Sequence, residues 1–158
     1  MLTLTSPAFE NNGTIPAKYT CDGDAALSPP LTIAGVSEAA KSLALIMDDP
    51  DIPQFAKEKH RIEVFDHWAL FNIPPDTAEI PEGAKIGTAG LNGAGSEGYT
   101  GPCPPPQYEP KEHRYIFTLY ALSDFLQFDA PPTKQQVLDA LAPLALAKAT
   151  LIGRYARE

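Results

Sequence analysis

Three stretches of the chain hold polar residues whose types and spacing suit chemistry better than a solvated surface. The first is Asp48-Asp49-Pro50-Asp51-Ile52-Pro53, three carboxylates among two prolines. Fixed φ at Pro50 and Pro53 makes a stiff turn that can aim a carboxylate at one position. The second is Asp66-His67-Trp68-Ala69-Leu70-Phe71-Asn72, a histidine opening an apolar run. The third runs from Gly98-Tyr99-Thr100-Gly101-Pro102-Cys103 through Pro104-Pro105-Pro106 to His113-Arg114-Tyr115. Here Gly101 offers a backbone N–H with no side chain in the way, and the proline run stiffens its surroundings. Two imidazoles, a carboxylate, a phenol and a glycine amide can hold an anion, perform acid–base catalysis or, through His and Asp, ligate a metal. Taken singly, the acidic turn also reads as a solvated loop, and His67 as a structural histidine with its hydrogen bonds satisfied.

The elements that must position these residues are mostly strands. Short apolar or alternating runs rich in β-formers predict strands at 2–5, 31–33, 42–47, 67–73, 115–122 and 147–155. Segment 42–47 is apolar throughout and stops abruptly at Asp48, as a buried strand does when it emerges into a loop. Strict alternation in 67–73 puts His67, Ala69 and Phe71 on one face and Trp68, Leu70 and Asn72 on the other. Segment 115–122 is aromatic and β-branched with both faces apolar, which places it centrally between packed layers. One helix is signalled: Thr133 and Gln136 form a capping box, Val137, Leu138 and Leu141 an apolar stripe, and Pro143 the stop. Residues 5–30, 48–66, 74–84 and 85–114 read as loops punctuated by Pro and Gly, and loops of such length in compact domains are usually functional.

Composition narrows the class. A chain of 158 residues with 44% hydrophobic content is expected to form one domain, 1–158, with a core of its own. Its 17 prolines are roughly twice the average of about 5% and argue against a helical bundle. Twelve Lys and Arg against 20 Asp and Glu give 12 − 20 = −8, with no basic cluster, so nucleic acid is excluded as a partner. The N-terminus has no basic and apolar leader, and nowhere do about 18 apolar residues run together, so no membrane insertion and a cytoplasmic location are expected. Cys21 and Cys103 have neither C-x-x-C nor zinc spacing; two free thiols are the expectation, one loop-to-loop disulfide the rival.

Together the motifs resemble the phosphatidylethanolamine-binding protein family, in its bacterial and archaeal group often called Raf-kinase-inhibitor-like. The D-P-D-x-P signature is matched by Asp49-Pro50-Asp51-Ile52-Pro53, and the histidine that begins a pattern ending in Asn by His67 with Asn72. The G-P…H-R-Y signature is matched by Gly101-Pro102 and His113-Arg114-Tyr115. Tyr19-Thr20-Cys21-Asp22-Gly23, Ser28-Pro29-Pro30-Leu31 and Leu151-Ile152-Gly153-Arg154-Tyr155 fit prokaryotic members, so the resemblance spans essentially the whole chain. It implies a mostly β, Greek-key-like sandwich of antiparallel strands in two sheets, with one short helix and long loops.

The resemblance further implies a surface pocket lined by Asp49, His67, Gly101, Pro102, His113 and Tyr115, taking a small anion or a phosphorylated ligand such as a phospholipid headgroup. Asp49 is expected to hydrogen-bond His67 or His113, or to share a proton with the ligand, since a bare carboxylate would repel it. Binding without catalysis, without cofactor or metal, is the leading reading, with inhibition of a partner kinase or protease as a further role. The alternative is a hydrolase or metal-dependent enzyme using His67, His113 and Asp49. No serine or cysteine sits in a nucleophile elbow, which counts against it. Eukaryotic members carry Trp-His where this chain has Phe65-Asp66, and a C-terminal helix at the pocket rim where this chain ends at Glu158. An open pocket is therefore expected, kinase regulation is not inferred from the eukaryotic relatives, and a homodimer is expected to cover apolar strand edges.

Overall fold

Alternation of apolar and polar residues resolves into nine strands and two α-helices in a computed structural model that describes residues 1–158. The strands are β1 (Thr3–Thr5), β2 (Gly13–Thr14), β3 (Leu31–Ala34), β4 (Ser42–Asp49), β5 (Phe65–Ile73), β6 (Glu79–Ile80), β7 (Thr88–Ala89), β8 (Glu112–Leu122) and β9 (Ala145–Ala156). The helices are α1 (Gln54–His60) and α2 (Lys134–Leu141). A six-stranded sheet of order β2-β9-β8-β4-β5-β7 faces a three-stranded sheet of order β1-β3-β6. The two-sheet architecture is the expected one. Pairing is antiparallel, as expected, with one two-residue parallel pair between β2 and β9.

The core lies between the sheets, where Leu43, Leu45 and Met47 of β4 meet Phe117 and Leu119 of β8 and Leu31 and Ile33 of β3. A second, smaller core lies behind the large sheet. There Ala44, Ile46, Ala69 and Phe71 pack under Val137 and Leu141 of α2. That is why β4 reads as a continuous apolar run: both of its faces are covered. Each buried Leu, Ile or Phe contributes about 1.5–3 kcal/mol over an exposed position. The capping box forms as expected, Thr133 Oγ1 accepting from the Gln136 amide and the Thr133 amide donating to Gln136 Oε1.

Two sequence expectations are corrected. The segment 48–66 contains α1, a second helix that follows Pro53 and stops at Arg61 in the left-handed conformation (φ 53°). It buries none of its own residues, so it has no apolar stripe to betray it. Cys21 and Cys103 are joined in a disulfide with Cα atoms 5.4 Å apart, and no free thiol remains. The two cysteines are 82 residues apart in sequence, so spacing alone carried no sign of the pairing. Free thiols therefore no longer support a cytoplasmic location. No helix is long and apolar enough to cross a membrane.

The alternation of β5 also breaks at its two ends. Leu43 pairs with Ile73 and Leu45 with Leu70, so β5 bulges around Asn72, whose φ is +53°. Its side chain then works as a staple: Nδ2 donates to the Leu126 carbonyl at 2.8 Å and Oδ1 accepts from the Leu126 amide at 2.8 Å. Asn tolerates the left-handed region, and Ala would lose both bonds there. Asn72→Ala is expected to destabilise the fold by about 2–3 kcal/mol, read as a lower urea midpoint with unchanged slope.

Candidate functional site

The site begins with two sequence motifs that lock onto each other. Asp49 is the last residue of β4, and His113 to Tyr115 lie near the start of the neighbouring β8. His113 Nδ1 donates to Asp49 Oδ2 at 2.7 Å, with side chains only 1% and 4% exposed. Asp49 Oδ1 accepts from the Asp51 amide at 2.8 Å, which closes the turn at Pro50. Asp51 in turn takes the backbone N–H, Nε and Nη2 of Arg114 at 2.9, 2.8 and 2.9 Å. Alternate acids of the turn thus hold successive residues of β8. The Arg114 hydrogen bond to Asp51, more than any other influence, keeps that carboxyl below its usual range.

His67 reaches the same place through a backbone irregularity. Met47 pairs with Trp68 but Asp48 with Asp66, so His67 is the extra residue of a β-bulge. Alternation had put it with Ala69 and Phe71. The bulge instead turns it to the side of Asp49, where it packs edge-on against Tyr115 (centroids 5.2 Å) and Phe65 (4.8 Å). Its Nδ1–H donates to the Thr100 carbonyl at 2.6 Å, leaving Nε2 free. Burial pulls its pKa below the ordinary 6.5, against opposing pulls from the Thr100 carbonyl and the Asp49 charge.

The Gly101 loop contributes differently from expectation. Its amide donates to the Ala25 carbonyl at 2.8 Å, so it is not the free anion donor that the sequence suggested. Glycine is required for close approach instead: a Cβ would stand 2.5 Å from the Tyr19 carbonyl oxygen. Pro102 is buried and accepts the Cys21 amide through its carbonyl at 3.1 Å, beside the disulfide. Pro102 and Tyr115 lie outside the cleft surface, while Asp49, His67, Gly101 and His113 line it. Tyr115 sits below, nearly parallel to the His113 ring at 6.3 Å. Its phenol is pushed well above the ordinary 10.0, first by burial and then by the Asp49 charge, so it stays protonated.

The cleft holds about 310 Å³. Above its polar floor rise Ile52, Phe55, Ile62, Pro104 and Pro105, and α1 supplies one wall. Phe55 and Thr100 were not singled out in the sequence; Phe55 sat in a stretch read as loop, and Thr100 acts through its backbone. No three His, Cys, Asp or Glu side chains are grouped to hold a metal ion. Both oxygens of Asp49 are engaged, one by His113 and one by the Asp51 amide, while the two imidazoles are bonded through Nδ1 alone.

Two packed sheets with a His–Asp cleft where β4 ends and β5 and β8 begin make this a β-sandwich domain with a surface cleft. The family profile described as phosphatidylethanolamine-binding protein matches residues 5–156, and the chain belongs to that family. A UPF0098 protein of Methanothermobacter thermautotrophicus is 42% identical over 99% of both chains. The crystal structure of a putative phosphatidylethanolamine-binding protein homolog of Chlamydia trachomatis superposes with TM-score 0.90 at 40% identity, covering 99% of this chain and 98% of that one. Escherichia coli YbcL, described as a new member of the mammalian family, superposes with TM-score 0.85 at 26% identity over 99% of both chains. Membership in the family supports a ligand-binding role in general.

The lowered pKa of His67 has a thermodynamic consequence. Unfolded, the ring takes up a proton near 6.5; folded, it does so only at lower pH, so the unfolded state binds more protons in between. This contribution to stability is complete above about pH 6.5 and is lost as pH falls toward the folded value. His67→Gln is expected to flatten that part of the stability profile, measured by urea unfolding at pH 7.5 and 5.5.

Proposed function

We propose that the cleft binds a small anion or the phosphoryl group of a phosphorylated ligand, and does so without catalysis. One observation carries this reading. The only buried side-chain polar atoms without a partner anywhere in the chain are His113 Nε2 and Tyr115 Oη, both in the H-R-Y motif. Leaving such a group unpaired costs about 1–3 kcal/mol, and of the two residues His113 lines the cleft, so a ligand that completes its Nε2 is favoured. Asp49 does not oppose it, because both of its oxygens already accept hydrogen bonds from protein. With Nδ1 committed to Asp49, Nε2 is the ring nitrogen of His113 left to meet a ligand. Of the basic residues in the last turn of α1, Lys57, Lys59 and His60, it is His60 that lines the cleft.

His67 is predominantly neutral in the free protein, and its free Nε2 is then an acceptor. It suits an anion that still carries a proton, such as hydrogen phosphate, or one that binds together with a proton. Sulfate, which carries none near neutrality, needs that uptake. Isothermal titration with sodium phosphate and sodium sulfate is therefore expected to show sulfate affinity rising more steeply than phosphate affinity as pH falls from 7.5 to 5.5. His67→Ala, which removes a charge-assisted contact, and Asp49→Asn, which weakens the carboxylate's hold on His113, are each expected to weaken phosphate binding about 10- to 100-fold. Unchanged binding in both variants, or turnover of phosphoesters that His67→Ala abolishes, would overturn the proposal.

A further inference from the structure

The large sheet has two faces at the site, and the face opposite the cleft carries a charge cluster that no motif accounts for. Asp48 and Asp66 are cross-strand partners at the ends of β4 and β5. Like charges in that relation repel. Between them lies the ammonium of Lys134, the first residue of α2, 3.1 Å from Asp48 and 2.7 Å from Asp66, with its side chain 9% exposed. A lysine so buried is held charged only by such partners. Burial works against its charge, but the Asp66 hydrogen bond and the Asp48 charge outweigh it and raise its pKa.

Each of these acids is the sequence neighbour of a cleft residue, Asp48 of Asp49 and Asp66 of His67. Without the bulge, Asp48 would pair with His67 and Asp49 with Asp66. That register would carry the His67 ring to the α2 side and bring the Asp66 carboxylate beside Asp49 in the cleft, because one residue of slip inverts every side chain. It would exchange the facing acids Asp48 and Asp66 for the facing acids Asp49 and Asp66, on the side of the sheet that Lys134 does not reach. Either register sets two acids face to face, and only the observed one sets them where a cation, Lys134, touches both.

We propose that Lys134 is a positioning residue for the cleft: by bridging Asp48 and Asp66 behind the sheet it holds the β5 bulge that delivers His67 to the front. Its effect on ligand binding rests on the anion-binding reading above; its effect on His67 does not.

The test uses the full chain and reads the His67 ring directly by nitrogen-15 NMR. The chain has three histidines, His60, His67 and His113, so assignment by substitution is simple. In the native register His67 shows the tautomer protonated on Nδ1, with ring-current shifts from Phe65 and Tyr115. Lys134→Met is expected to abolish that signature and to weaken inorganic phosphate binding at least tenfold. The combination of Lys134→Met with Asp48→Asn and Asp66→Asn, which removes the repulsion as well as its remedy, is expected to restore the signature. A lysine that merely stabilised α2 would lower the melting temperature of Lys134→Met and leave the His67 tautomer alone, and that result overturns the proposal. Should Lys134→Met not fold, the triple variant decides: a native His67 signature supports the proposal, and its loss overturns it. If wild-type protein binds no phosphate while the His67 signals behave as expected, the anion-binding reading fails and the positioning role stands.

Discussion

The hydrogen bond between Asp49 and His113 is the contact on which the site depends. It joins the end of β4 to the start of β8 at the floor of the cleft, with both side chains almost fully buried. A carboxylate there without a partner would be strongly unfavourable, so the two strand ends have no freedom to separate. Once this bond is made, Asp51 is carried opposite Arg114, His113 presents Nε2 away from Asp49, and Tyr115 lies beneath both imidazoles. One interaction thereby sets the orientation of several groups.

Rigidity around that contact comes from backbone restriction. Pro50 and Pro53 brace the acidic turn, and Pro102 with Pro104 to Pro106 brace the loop that carries Thr100 and Gly101, so six of the 17 prolines flank the cleft. The disulfide adds a covalent tie between that loop and the segment at Cys21, and hydrogen bonds from Gly101 to Ala25 and from Cys21 to Pro102 run alongside it. A site held in place before its ligand arrives loses less entropy on binding. The proline surplus, which composition alone marked only as incompatible with a helical bundle, is concentrated where that matters.

The large sheet separates two kinds of polar chemistry by a single layer of backbone. Asp49 faces the cleft and Asp48 faces α2; His67 faces the cleft and Asp66 faces α2. Alternation accounts for the first pair. In the second pair alternation separates the two residues, and the bulge between Asp66 and Trp68 decides that His67 is the one facing the cleft.

Much of this was legible in the residues. The buried run 42–47, the capping box at Thr133 and the strand at 115–122 announce themselves because local patterning and burial agree there. The D-P-D-x-P, His and H-R-Y motifs, taken together, were enough to indicate the family. What remained invisible was whatever depends on residues far apart in the chain. The partner of Asp49 could have been either histidine, Cys21 and Cys103 could equally have been free, and the Gly101 amide looked available until Ala25 was found to occupy it. Helix α1 has no buried face to leave a pattern, and the two bulges in β5 arise from pairing with β4, which no count along β5 alone contains. Sequence by itself therefore determined which residue types were available and the layers they would build, since periodicity is a local property. Only the tertiary structure decided which donor meets which acceptor and which face His67 occupies, because those follow from the register between strands distant in sequence.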